Sequence, residues 1–322
     1  ALALEIHRLR IAAIAEEMGA SLKKAAFSTN IKERRDYSCA VFDARGQMLV
    51  HAAHIPVHLG STPASVQAAI EAGVMARGVS AILNDPFAGG THLPDVTLVS
   101  PVYIGDGATP TFYVANRAHH ADVGGLSPGS LPAPRRPDGT VRPLTIDDEG
   151  VRIPPRALSP AVRRAFADAS RTPDERIGDL RAQEAANHTG AERLRAWVAT
   201  RGSAEIERHN DALLDYSEGR MRALIHGLAD GVYRHEAWLD DDGVSDEPVR
   251  ITAEVTISGD EVLVDFSHSD DSVAGPLNAV RAIAVSAVFY VFRCLGGASI
   301  PANAGLMRPL EIRTRPGSVV DA

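Results

Sequence analysis

Six of the twelve histidines in this 322-residue chain fall between His51 and His120, and two short motifs hold most of the chemistry in that window. The first is Gly89-Gly90-Thr91-His92-Leu93-Pro94-Asp95-Val96, in which His92 and Asp95 stand three residues apart. Pro94 excludes a regular helix interior, so the spacing has to be realised in a turn, where an imidazole and a carboxylate can converge on one ion. The glycines allow a close backbone approach there. The second motif is Asn116-Arg117-Ala118-His119-His120-Ala121-Asp122-Val123-Gly124-Gly125. Mixed imidazole and carboxylate ligands suit Zn²⁺, Mn²⁺ or Fe²⁺ better than Ca²⁺, which takes oxygens only. Two imidazoles with one or two carboxylates leave room for water or a substrate oxygen, as catalytic sites do and closed structural sites do not. Such an ion polarises a carbonyl and lowers the pKa of water. A lone His-x-x-Asp pair is more often a structural hydrogen bond, so the residues alone leave both readings open. Neighbouring histidines on a strand face opposite ways, so at most one of His119 and His120 serves such a site.

The segment His54-Ile55-Pro56-Val57-His58 offers two further imidazoles. They can line a pocket as acid/base groups or orient substrate, or simply form a surface loop. Cys39 reads as a small buried apolar residue rather than a nucleophile. His188, His209, His226 and His235 lie in or beside helical segments without a carboxylate at ligand spacing, and no role is assigned to them.

The elements that position these residues follow from periodicity. Ile11, Ile14, Met18 and Leu22 recur at helical spacing. Residues 39–42 and 47–50 flank a turn closed by Gly46, which predicts a hairpin. A helix is expected to start with Thr62 as N-cap and Pro63 at its first position. Strands are expected over 96–104 and 111–115, joined through Gly105-Asp106-Gly107. If they pair, both histidine motifs land at one end of the sheet. Residues 124–155, rich in Gly and Pro, form a long ordered loop of the kind that is usually functional or disordered. Helices fill 160–228, one opened by a capping box at Thr172, Pro173 and Glu175. Strands over 249–257 and 261–266, a helix over 279–294 and a strand over 309–314 complete the chain. Hairpins and helical blocks without strict alternation argue for an α+β fold with mixed sheets and a central helical block, not a doubly wound nucleotide fold. Residues 1–158 are read as a metal-bearing part and 159–322 as the helical block with a second α/β part.

Composition narrows the functional classes. Apolar residues make up 45% and charged residues 23%, as in an ordinary folded protein. The net charge of −8 argues against nucleic acid as a main partner. The basic runs Lys32, Arg34, Arg35 and Arg135, Arg136, Arg142 are short and read as solvated loop charges. Two cysteines, Cys39 and Cys294, are too few for a disulfide framework and suggest a reducing cytoplasm. No window is apolar enough to predict a membrane span, and Glu5, Glu16 and Glu17 make the first segment unlike a signal peptide. No phosphate-binding Gly-x-x-x-x-Gly-Lys loop, dinucleotide fingerprint or nucleophile elbow is present, so an ATP site is expected on a partner if ATP is used. The opening without Met and the close in Arg315-Pro316-Gly317-Ser318 suggest a truncated chain.

Several runs, in order, resemble the hydantoinase B/oxoprolinase family: residues 30–40 (NIKERRDYSCA), 54–60 (HIPVHLG), Asn84-Asp85-Pro86, 90–96 (GTHLPDV), 116–125, 178–183 (GDLRAQ) and Asp265-Phe266-Ser267. The resemblance covers nearly the whole chain, and family members usually continue past this end. It implies a divalent metal held by Asp36, His92, Asp95 and His119, with His120 and Asp122 orienting those ligands and His54 and His58 as further catalytic candidates. Spacing alone reads Asp36 as a solvated charge. The resemblance also implies a larger hydantoinase A-type partner of the actin/hexokinase-like ATPase fold. That partner would use ATP to phosphorylate a small cyclic amide, which then meets the metal site and is hydrolysed in a hetero-oligomeric complex. Carboxylase members of the family carry a Ser-His-Gln pattern where this chain has His119-His120-Ala121, so the chain resembles the hydantoinase side more. The α-subunit of an ATP-dependent ketone carboxylase and a non-catalytic scaffold for the ATPase are the alternatives.

Overall fold

A computed structural model describes residues 2–52, 54–135, 138–142, 144–297 and 300–322. The chain opens with α1 (Leu2–Ala25), whose buried face carries Ile11, Ile14, Met18 and Leu22, and a single turn, α2 (Thr29–Lys32). The first hairpin is β1 (Tyr37–Asp43) and β2 (Met48–His51), with Gly46 at φ 75° in its turn. There follow α3 (His58–Glu71), β3 (Ala81–Leu83), β4 (Asp95–Val102), β5 (Phe112–His119), α4 (Ile146–Glu149) and β6 (Arg156–Ala157). The helical block comprises α5 (Pro160–Asp168), α6 (Pro173–Arg201) and α7 (Ser203–His226). The last part holds β7 (Gly231–Leu239), β8 (Val249–Ser258), β9 (Glu261–Asp265), α8 (Arg281–Gly296), α9 (Ala304–Met307) and β10 (Leu310–Arg313). Among the described residues no helix is long and apolar enough to cross a membrane.

Six strands form one antiparallel sheet in the order β2-β1-β5-β4-β3-β6. Every residue of β1 is buried, because helices cover both faces. Side chains alternate across a strand. Cys39 and Val41 therefore point into a cluster with Ile14 and Met18 of α1 and Leu194 of α6, while Ala40 and Phe42 point into one with Val66 of α3 and Phe289 of α8. These two clusters each draw on residues before and after position 158. The second sheet, β10-β9-β8-β7, is antiparallel except for the parallel pair β9–β10. The fold is α+β with mixed sheets, and among the described residues nothing is doubly wound.

Three local expectations change, and one strand is added. Strand β5 runs four residues further than the apolar pattern indicates, to His119, because Asn116 and Arg117 are held by buried polar partners rather than by solvent. Helix α3 begins at His58, not Thr62, and Pro63 lies inside it. Its end is tied instead from α8: the Ser286 hydroxyl accepts from the Gly60 N–H (3.0 Å) and donates to the Val57 carbonyl (2.6 Å). Thr172 makes no side-chain cap for α6; its carbonyl accepts from the Arg176 N–H. Residues 231–239, assigned to no element from the sequence, form the edge strand β7, with His235 on it beyond the helical block. Most of that strand is exposed, so no apolar alternation marks it in the sequence.

Candidate metal centre

The antiparallel register of β4 and β5 sets Asp95 directly opposite His119. It also ends β1 beside them, since the His119 N–H bonds the Asp36 carbonyl (3.0 Å). Asp36 follows Arg35, which sits in the left-handed region at φ 57°. Only glycine enters that region without steric penalty, so the bend that brings Asp36 to the cluster stores roughly 1–2 kcal/mol. His92 arrives from the turn before β4. Gly89 (φ 84°) makes that turn possible, for a Cβ there would lie 2.4 Å from the Ala64 carbonyl carbon in α3.

Asp95 is the centre of the arrangement and is essentially buried. Its Oδ1 lies 3.1 Å from His92 Nε2 and 3.2 Å from His119 Nδ1. Its Oδ2 accepts from the Thr91 hydroxyl (2.5 Å) and from His58 Nε2 (3.2 Å). Asp36 Oδ2 stands 3.8 Å from His119 Nδ1. Burial alone would raise the Asp95 pKa, but contacts from His119, His58 and His92 outweigh it and hold the carboxyl well below the usual range. For His92 the balance runs the other way. Burial opposes its protonation, yet the Asp95 carboxylate raises its pKa. Burial raises the carboxyl of Glu149 in α4, within the loop over 124–155, against the opposing charge of His92.

The donor set fits a divalent transition metal. His92, Asp95 and His119 present ligand atoms within 4.8 Å of one another, and Asp36, His58 and Asp95 form a second such trio. Ligands about 2.1 Å from one ion are separated by roughly 3.0–3.4 Å, which matches the 3.1 and 3.2 Å spacings around Asp95 Oδ1. Solvent reaches one side only: the side chains of His92, His119 and Asp36 are 35%, 18% and 34% exposed, whereas that of His58 is 1% exposed.

Of the other candidate residues, His58 touches the cluster through Asp95 Oδ2, while His54, His120 and Asp122 lie elsewhere. His58 is held from behind, its Nδ1 accepting from the Ser38 hydroxyl (2.8 Å). Ser38, His58 and Asp95 are thus linked in a row, but Ser38 is fully buried and cannot act as a nucleophile. His54 stacks edge-on against Tyr37, accepts from the Cys39 N–H and faces Glu16 at 3.8 Å. His120 turns to the opposite side of the sheet end, against Phe166, with Nε2 at 3.0 Å from Gln183 Oε1. Asp122 ties the glycine turn at Gly124 to Arg171. None of these three contacts the cluster directly. Thr91, Ser38 and Arg117, which hold the cluster from behind, carry no signal in spacing, because hydroxyls and arginines are common and their partners are remote in sequence.

His51, at the end of β2, is buried and donates Nδ1–H to the Ala52 carbonyl (2.7 Å). Burial pushes its pKa down to about 3 from 6.5. A histidine held neutral in the fold stabilises it above pH 6.5, and that contribution is lost as pH falls toward 3. The fold is therefore expected to weaken by about 1.4 kcal/mol per pH unit from this residue alone below pH 6.5. Urea melts between pH 7 and 4.5 test this, and the His51→Gln variant should show a slope shallower by one proton. An unchanged slope would show that His51 is not the group responsible.

Comparison with known proteins bears on the family of the chain. The sequence model of the hydantoinase B/oxoprolinase family matches residues 1–322. A 5-oxoprolinase of Saccharomyces cerevisiae is 34% identical over 331 residues, which cover 98% of this chain and 25% of that protein. The crystal structure of an ATP-dependent caprolactamase from Pseudomonas jessenii superposes with a TM-score of 0.88 at 27% identity, covering all of this chain and 55% of that one. A nucleotide-free acetone carboxylase shares the fold, with a TM-score of 0.84 at 20% identity over 97% of this chain and 43% of that one. The chain spans between about a quarter and just over half of the length of the curated relatives it matches. With the family model matching from end to end and a relative above 30% identity, the chain belongs to the hydantoinase B/oxoprolinase family.

Proposed function

We propose that this chain is the metal-carrying part of an ATP-dependent cyclic-amide hydrolase. The observation that carries the reading is the convergence of His92 and His119 on a single oxygen of the buried Asp95, with Asp36 beside them. Asp36, His92, Asp95 and His119 would hold a Zn²⁺, Mn²⁺ or Fe²⁺ ion. Such an ion supplies Lewis acidity toward a carbonyl or phosphoryl oxygen and makes water nucleophilic near neutral pH. The chain's own residues do the rest. Asp95 keeps its negative charge in a buried setting because three imidazoles surround it, and His58 and Ser38 fix its orientation. His92, His119 and Asp36 form the open side on which a substrate has to arrive.

An unstrained amide is a poor electrophile, and phosphorylation of its oxygen creates a leaving group. No phosphate loop occurs in this sequence, so a hydantoinase A-type ATPase partner would perform that step in a hetero-oligomer. Its cyclic substrate would belong with hydantoins, 5-oxoproline or larger lactams. The two cysteines, both unpaired, fit a cytoplasmic location. The likeness to the caprolactamase and the oxoprolinase favours the hydrolase over the carboxylase, whose likeness is one of fold.

The test is turnover of a panel of cyclic amides by the chain with its ATPase partner, with and without ATP and bicarbonate. Ring opening that needs partner and ATP but not bicarbonate is expected. Bicarbonate-dependent carboxylation would replace the hydrolase by the carboxylase reading. Turnover by the chain alone would remove the partner from the scheme.

A further inference from the structure

The two oxygens of Asp95 have different surroundings, and the difference bears on how a metal would be held. Oδ1 faces His92 Nε2 and His119 Nδ1, both on the solvent-reached side. Oδ2 is already saturated: Thr91 donates its hydroxyl proton at 2.5 Å, and His58 Nε2 lies 3.2 Å away. A carboxylate only accepts, so Nε2 of His58 carries the proton and Nδ1 accepts from Ser38. That fixes the imidazole at both ends in one tautomer. Thr91 and His92 belong to the same turn, and Ser38 lies on β1. The turn, β1 and α3 thus all contribute to holding one oxygen.

We propose that Thr91 and the Ser38–His58 pair hold Oδ2 of Asp95 away from the ion, so that Asp95 binds through Oδ1 alone. The inference rests on the metal reading above. A carboxylate that binds through both oxygens fills two coordination positions, whereas one that binds through a single oxygen fills one. The lock therefore keeps a position on the ion for a substrate oxygen, and makes Thr91 and His58 positioning residues rather than ligands. It also sets aside the alternative trio of Asp36, His58 and Asp95: an ion on the Oδ2 side would have to displace the Thr91 and His58 hydrogen bonds, and it would sit beside a His58 side chain that is 1% exposed.

The experiment loads the full chain with Co²⁺ as a spectroscopic probe and compares the parent with Thr91→Val, Thr91→Ser and His58→Gln. Thr91→Val keeps the shape and removes the donor. It is expected to free Oδ2, add one oxygen to the ion's shell by X-ray absorption, weaken the visible Co²⁺ band, and shift the Kd for Co²⁺ by about tenfold or more. Thr91→Ser restores the hydroxyl and should recover the parent spectrum. His58→Gln should leave the number of nitrogen ligands unchanged. A Thr91→Val spectrum and Kd identical to the parent would overturn the lock while leaving the metal site standing. Loss of one nitrogen ligand in His58→Gln would place the ion on the Oδ2 side and overturn it too. A parent that takes up no Co²⁺ would sink the metal reading itself, and this inference with it.

Discussion

The Asp95→Asn variant is expected to purify folded, to retain little or no transition metal, and to lose ring-opening activity by about a thousandfold or more. Asn keeps the size of the side chain, so the antiparallel pairing of position 95 with His119 survives. The charge does not survive, and among the described residues it is the only carboxylate in contact with all three of His58, His92 and His119. Without it His92 loses the interaction that raises its pKa, and the ligand set falls to two imidazoles and the partly exposed Asp36. A metal-assisted step draws several kcal/mol from the ion, and each 1.36 kcal/mol is a factor of ten in rate. Elemental analysis beside a thermal melt separates loss of metal from loss of fold. An Asp95→Asn protein with full activity together with its partner would support the scaffold reading and remove the catalytic assignments.

Arg117→Met is expected to lower stability by about 1.5–3 kcal/mol, the range for buried hydrogen bonds to a charged group. Arg117 is fully buried in β5. Its Nε donates to Thr97 (2.9 Å), one terminal nitrogen to Ser61, and the other to Ser65 (2.7 Å) and the Gly89 carbonyl (3.1 Å). The guanidinium thus ties β4, α3 and the turn that carries His92 to one point. Burial lowers its pKa to about 10, opposed by the charge of Asp95, so it stays protonated at neutral pH. Methionine fills much of the space but leaves the hydroxyls and the carbonyl without these partners. Arg117→Lys should recover only part of the loss, since an ammonium cannot reproduce the planar fork. Urea unfolding of the three proteins checks this. A loss below about 1 kcal/mol would mean that the desolvation of the guanidinium offsets its hydrogen bonds.

Much of the frame was legible in the residues themselves. The face of α1 through Ile11, Ile14, Met18 and Leu22, the hairpin around Gly46, and the pairing of β4 with β5 follow from apolar periodicity and turn chemistry, which act within a few residues. So does the pairing of the two histidine motifs at one sheet end, because an antiparallel hairpin fixes which residues face each other. The split between His119 and His120 follows from strand alternation in the same way. The acidic composition and the lack of a phosphate loop likewise belong to the sequence alone.

Other features exist only because distant segments meet. Asp36 has no spacing signal; it reaches the cluster through a left-handed Arg35 and the bond between the Asp36 carbonyl and the His119 N–H. The start of α3 depends on Ser286, which is 226 residues from its partner Gly60. Arg117 looks like any strand cation until Ser61, Ser65 and Gly89 close around it. The unequal surroundings of the two Asp95 oxygens arise from Ser38, His58 and Thr91 on three separate segments. The physical reason is common to all of these. Periodicity reports which face of an element is buried, but a buried polar group is placed by the partners that satisfy it, and those partners become neighbours only when the chain has folded.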